Sequence, residues 1–177
     1  MTRPTLTVDG VEHPIAGAQV ALIRDGRVLL QFRPWPPGWE LPGGHSDDGE
    51  DPALTAAREG EEETGHTVRV LRLSGVYTWA GLRNSSDAVY VGEVTGGAWR
   101  RSVEALSHRW VTLDELPATT FPWITQRVAD ALASTPTTPP VHRTQPVSAR
   151  HMLFFGARWV GFLVDLLRRI TRRRSAR

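Results

Sequence analysis

The sequence contains no cysteine and no lysine. The first absence excludes disulfide staples, a thiolate zinc site and a cysteine nucleophile. The second excludes a Schiff-base amine and the lysine of a phosphate-binding P-loop. The opening residues MTRPTLTVDG lack the apolar stretch of a secretory signal. The longest apolar run, residues 152–167, is broken by Arg158 and Asp165. Sixteen helical residues reach about 24 Å, short of a hydrocarbon core of about 30 Å, which argues against a transmembrane helix. There is no internal repeat. These absences suit a cytoplasmic protein with one ordinary domain.

What is present is divided in charge. The 177 residues carry a formal charge of only +2, and every one of the 21 basic residues is arginine. Residues 1–147 hold 13 arginines and 18 acids, a net of −5, whereas residues 148–177 hold 8 arginines and Asp165 alone, a net of +7. An acidic body and a basic tail meet different partners.

The local patterns predict a mixed order of elements. Residues 20–23 and 28–32 flank Asp25-Gly26, a pair suited to a hairpin turn with two positive φ angles. Residues 33–44 carry four prolines, at 34, 36, 37 and 42, and read as loop. Asp51-Pro52 starts a helix that Gly65 stops. Strands follow at 68–73, 75–79, 88–94 and 108–111, then a turn at 114–117 and a helix at 122–133. This order predicts an α/β or α+β domain, 1–133, with helices covering a mixed sheet. Residues 134–147 carry four of the thirteen prolines and read as a stiff extended linker. Residues 148–177 then form a second helical pattern.

The acids of the first helix carry the chemistry. Glu59, Glu62 and Glu63 share one face at spacings of three and four. The opposite face is small: Ala53, Ala56, Ala57 and Gly60. A glycine inside a helix costs about 1 kcal/mol relative to alanine, which is tolerable where something must approach closely. The helix is therefore expected to lie tight on a sheet and aim its carboxylates outward. Clustered hard oxygens suit Mg²⁺ or Mn²⁺; the plain alternative is a solvated acidic face.

GHSDDGEDPALTAAREGEEETGH, residues 44–66, resembles the signature of the Nudix hydrolase family, G-x5-E-x7-R-E-U-x-E-E-x-G-U with U aliphatic. Gly44, Glu50, Arg58, Glu59, Glu62, Glu63 and Gly65 fall at the required spacing. Both U positions depart, to Gly60, which could loosen the helix against the sheet, and to His66. The resemblance spans residues 16–133 and implies an α/β/α sandwich. It implies Mg²⁺-dependent hydrolysis of a nucleoside diphosphate linked to another moiety. It implies that Glu59, Glu62 and Glu63 bind the metal with a carbonyl at Gly43 or Gly44, that Glu50 assists from outside, and that Arg58 orients the glutamates. Glu104, six residues before Trp110, matches a loop glutamate that serves as ligand or base in relatives; Glu59 is the other candidate base. A second loop acid of relatives falls here at Ser107. Trp35, Trp39 and Trp79 are candidates to stack a base, and Arg33 and Arg83 to hold a phosphate. Gly81-Leu82 and Arg83-Asn84 stand where ADP-ribose and dinucleoside polyphosphate hydrolases carry a proline and a tyrosine, so neither assignment is supported.

Two other classes compete. A non-catalytic Nudix sensor conflicts with intact Glu59, Glu62 and Glu63; a hydrolase of a lipid or prenyl diphosphate fits a membrane-facing tail. The isomerase branch that acts on isopentenyl diphosphate relies on cysteine. In the tail His151, Arg158, Asp165 and Arg172 recur every seven residues as a polar stripe on an otherwise apolar helix with Phe154, Phe155, Trp159 and Phe162. Such a helix lies in an anionic membrane interface, making the protein peripheral there, or packs on the body or a second copy. Arginines alone are weak evidence for nucleic acid.

Overall fold

A computed structural model describes residues 3–81, 85–147 and Val160. Its elements are β1 (Thr5–Val8), β2 (Val11–Arg24), β3 (Arg27–Pro34), β4 (Pro37–Glu40), β5 (Gly43–His45), α1 (Pro52–Thr64), β6 (His66–Gly81), β7 (Ser85–Gly97), β8 (Ser107–Val111), α2 (Pro122–Ala133) and β9 (Val141–Val147). The strands run in the order β4-β3-β2-β7-β6-β9, with β1 and β5 paired to β2 and β8 paired to β3. The β2–β7 and β6–β9 pairs are parallel and the others antiparallel. The sheet is mixed, as the element order predicts.

Strand alternation builds two cores. Val20, Leu22, Leu29, Ala88 and Tyr90 face one side and pack with Ala56 of α1. Ala21, Val28, Leu30, Val89 and Val91 face the other and pack with Ile124, Val128 and Ala131 of α2. Successive side chains leave a strand on opposite faces, so these near-continuous apolar runs feed both layers. Burying side chains such as Ile124 and Val128 contributes roughly 1.5–3 kcal/mol each. The result is a helix–sheet–helix sandwich.

Two Asp-Gly turns join strands. Asp25 and Gly26 have φ of 51° and 71°, and Asp9 and Gly10, which the sequence reading passes over, have 51° and 76°. Asp51 caps α1 through a 2.8 Å bond from the Ala53 amide, and Gly65 closes it at φ 74°. Gly60 sits where α1 crosses the sheet. A Cβ there would lie 2.8 Å from Val20 Cγ1 and 3.3 Å from Val68 Cγ2. The departure to glycine therefore tightens the helix on the sheet instead of loosening it.

Several expectations are corrected. Residues 33–44 are not all loop: β4 pairs with β3 from Gln31↔Glu40 to Pro34↔Pro37, and β5 pairs with β2. Pro34, Pro36 and Pro37 stand at the hairpin's turn, where ladder amides are dispensable. The strands expected at 68–73 and 75–79 are one strand, β6, with register shifts that absorb the irregularity. The second half of the expected linker is β9, whose residues from Val141 to Val147 pair parallel with β6 from Gly75 to Gly81. Arg143 of β9 joins Asp130 of α2 at 2.8 Å. As an edge strand β9 tolerates Pro146. The tail helix expected over 148–177 lies outside the described residues, apart from Val160. Among the described residues no helix is long and apolar enough to cross a membrane.

Candidate active site

A cleft of about 900 Å³ opens at one end of the sheet, between β2, the β3–β4 turn, α1, the loop before β8 and α2. It has two ends.

The first end is built on α1. Arg58 is its hub. Its Nε and Nη2 grip both oxygens of Glu50 at 3.0 Å each, its Nη1 lies 2.8 Å from Glu59 Oε1 and 3.6 Å from Glu62 Oε2, and its Nη2 donates to the His45 carbonyl at 3.3 Å. Glu50 also accepts from the Asp47 amide and the Thr55 hydroxyl. The Arg58 bonds hold the Glu50 carboxyl down at about 2. Both Glu50 oxygens are thus spent on fixing the arginine. Glu59 lies over the backbone of Gly44, where a Cβ would meet its carboxylate at 2.6 Å, so a side chain there would displace the carboxylate.

The expected outward aim of the acids holds only for Glu62, whose side chain is 62% exposed. Glu63 is buried and points inward, accepting from the Gly43 amide at 2.8 Å and the Gln31 amide at 2.6 Å. Burial pushes its carboxyl up to about 8, and the neighbouring Glu40 and Glu59 charges push the same way. Burial also raises Glu59, against the pull of Arg58. Glu104 lines the same end from an exposed loop, near enough for its charge to raise Glu59 further.

Among the described residues, no three acidic or histidine side chains converge into a ready-made metal cluster. Arg58 is the counter-charge for Glu59 instead. The donor set nevertheless suits a hard divalent cation: carboxylates at Glu59, Glu62 and Glu63, backbone beside Gly43 and Gly44, and two acids that resist ionising without added positive charge.

The second end lies across the sheet, and most of it is absent from the sequence reading. Arg127 of α2, 1% exposed, donates to Gln145 Oε1 (3.1 and 3.0 Å), Gln19 Oε1 (2.8 Å) and Asp87 Oδ2 (3.2 Å). Its guanidinium lies 5.0 Å from the ring centroids of both Tyr77 and Trp79. Trp79 Nε1 donates to Asp87 Oδ2 at 2.6 Å. Trp123 stands edge-on to Trp79 at 4.8 Å and stacks on Phe121 at 5.2 Å. Glu40, buried at the cleft floor, pairs with Arg33 at 3.0 Å, and burial pushes its carboxyl up to about 7. One signal for Arg127 was available: it shares the buried face of α2 with Ile124, Val128 and Ala131.

The candidate substrate residues separate. Arg33, Trp35 and Trp79 line the cleft. Trp39 does not; it is buried in the α2-side core against Phe32, with Arg109 over its ring. It is therefore no stacking platform. Arg83 lies outside the described residues.

The NUDIX domain model matches residues 13–132, and the chain belongs to the Nudix hydrolase family. Members of this family use divalent metals. It is 41% identical over 120 residues to the CMP-5'-(N-acetyl-N-hydroxy-3-aminopropyl)phosphonate hydrolase of Streptomyces rubellomurinus, covering 59% of this chain and 57% of that one. The chain thus matches little more than half of that relative's length. It is 35% identical over 132 residues to a MutT-like protein of Streptomyces ambofaciens, covering 75% of this chain and 85% of that protein. Its fold matches a Nudix hydrolase from Nitrosomonas europaea with a TM-score of 0.64 at 20% identity, covering 74% and 78% of the two chains.

Proposed function

We propose that the chain hydrolyses the phosphoric anhydride bond of a nucleotide joined through its diphosphate, or through a phosphate–phosphonate link, to a second group. The observation that carries this is one cleft with an Arg58-organised carboxylate set at one end and an edge-to-face tryptophan pair at the other. A phosphate–phosphonate link enters because the relative sharing 41% identity is named for a CMP-linked phosphonate.

Glu59, Glu62 and Glu63, with the backbone at Gly43–Gly44, hold Mg²⁺ or Mn²⁺. The ion supplies charge neutralisation on the diphosphate oxygens and a water acidic enough to react near neutral pH. Arg58, fixed by Glu50, keeps Glu59 aimed at the cleft. Glu104 takes the proton of the attacking water, being an exposed acid on the loop that faces Glu59. Arg33 sits on the cleft wall where an outer phosphate or the second group passes.

The test is Glu62→Gln with a panel of nucleotide diphosphate compounds and a prenyl diphosphate, assayed with Mg²⁺ and with Mn²⁺. Metal-dependent turnover of a nucleotide compound is expected, and its loss in the variant. Undiminished turnover at saturating metal refutes the ligand assignment, and turnover of the prenyl compound alone refutes the nucleotide. The arginine-ended segment 148–177 adds a contact with anionic membrane or with a second copy, supported by its sequence pattern. Vesicle sedimentation and sedimentation velocity of the full chain, with and without that segment, decide between them.

A further inference from the structure

The tryptophan-walled end of the cleft contains a cation already committed to protein acceptors. Arg127 makes four hydrogen bonds, has aromatic rings against it and is 1% exposed. What this end presents to a ligand is acceptor oxygen. Both bonds to Asp87, from Trp79 Nε1 and Arg127 Nη2, fall on Oδ2, and Oδ1 takes neither. The Arg33 ion pair engages Glu40 through Oε1. Asp87, Glu40, Trp79 and Trp123 all line the cleft. Flat apolar walls with carboxylate acceptors suit a flat aromatic ligand that carries N–H donors.

Asp87 is held by a chain of contacts that ends in β9. Gln145 of β9 receives two of the Arg127 bonds, and its own amide donates to the Trp123 carbonyl at 2.9 Å. Gln145 is buried, and it lies past residue 132, where the family match ends. This strand therefore fixes the arginine, the aspartate and one tryptophan wall together.

We propose that this end of the cleft is the nucleobase pocket, that Asp87 selects bases bearing an exocyclic amino group, and that Gln145 of β9 is the positioning residue that holds Asp87 through Arg127. It rests on the proposed function only in taking the ligand to be a nucleotide. A carboxylate accepts from an amino group such as the N4 of cytosine and meets only lone pairs at the O4 of uracil. A charged acceptor left facing a carbonyl costs about tenfold or more in affinity.

The test measures binding without metal or turnover. Quenching of tryptophan fluorescence in the full chain is titrated with CMP against UMP and with GMP against IMP, pairs that differ in the amino group. CMP and GMP are expected to bind about tenfold tighter than their partners. Equal affinities within each pair overturn the proposal, and so does tighter binding of UMP and IMP. Asp87→Asn keeps an oxygen for Trp79 and Arg127 and places an amide N–H₂ where Oδ1 stood. It is expected to reverse the CMP/UMP preference; an unchanged preference overturns the role of Asp87. Gln145→Ala is expected to narrow the ratio toward one; an unchanged ratio overturns the role of β9. Should Asp87→Asn not fold, the wild-type pairs still decide the base selection. Discrimination without any hydrolysis would refute the proposed function and leave this inference standing, and hydrolysis without discrimination would do the reverse.

Discussion

The two ends of the cleft are both built around an arginine that gathers acids, yet they differ in how the chain assembles them. At the α1 end, Arg58 reaches Glu50, Glu59 and Glu62, all within eight residues of it. At the tryptophan end, Arg127 reaches Gln19 and Asp87, separated from it by 108 and 40 residues, and Gln145, 18 residues on. The first arginine is part-exposed and serves groups that must change partners. The second is sealed and serves groups that must stay still.

The sharpest way to break this comparison is Arg127→Met. It leaves Asp87 without its buried partner, which costs on the order of 3 kcal/mol. The expected fall in Tm is on the order of 8 °C, read by calorimetry. An unchanged Tm would show that the sealed network does not hold α2 to the sheet. Next is Gly44→Ala, whose methyl would overlap the Glu59 carboxylate at 2.6 Å. It is expected to lower kcat/KM by roughly a hundredfold, because an ångström of misplacement has that effect, while CMP quenching stays as in the native chain. Loss of both would mean that the two ends are not separable.

The smallest expected effect concerns pH. Glu40 titrates near 7 in the folded chain and near 4.5 when unfolded. A carboxyl raised on folding contributes stability that is present below about 4.5 and is lost as pH rises through about 7. Between pH 5 and 8 the native Tm is therefore expected to fall relative to Glu40→Gln, by on the order of 5 °C. Parallel Tm curves for the two proteins would place the Glu40 carboxyl in a solvated setting. Glu63, pushed to about 8 mainly by burial and partly by the Glu40 charge, slopes the same way and less steeply in Glu40→Gln, which adds to the difference.

Particular residues show where the sequence was readable. Asp51, Pro52 and Gly65 mark the ends of α1 because caps act through local backbone bonds. Asp25-Gly26 marks a turn for the same reason, and Asp9-Gly10 carried the same signal unread. β4 and β9 were hidden because proline-rich segments resemble loops until an edge of the sheet offers them a partner. Trp39 looked like Trp79 in the sequence, and only packing sends one into the core and the other to the cleft. The inward turn of Glu63 depended on Gln31, a residue with no signature of its own.

By itself the sequence determined the family, the helix that carries the acids and the two ends of that helix. All of these follow from spacing along one helix, where geometry is fixed at 3.6 residues per turn. Only the tertiary structure decided which acids are buried, which tryptophans face the cleft, and that a strand beyond the family match completes the second end. Those outcomes depend on strand pairing between residues far apart in the chain, and no short-range periodicity encodes which strands pair.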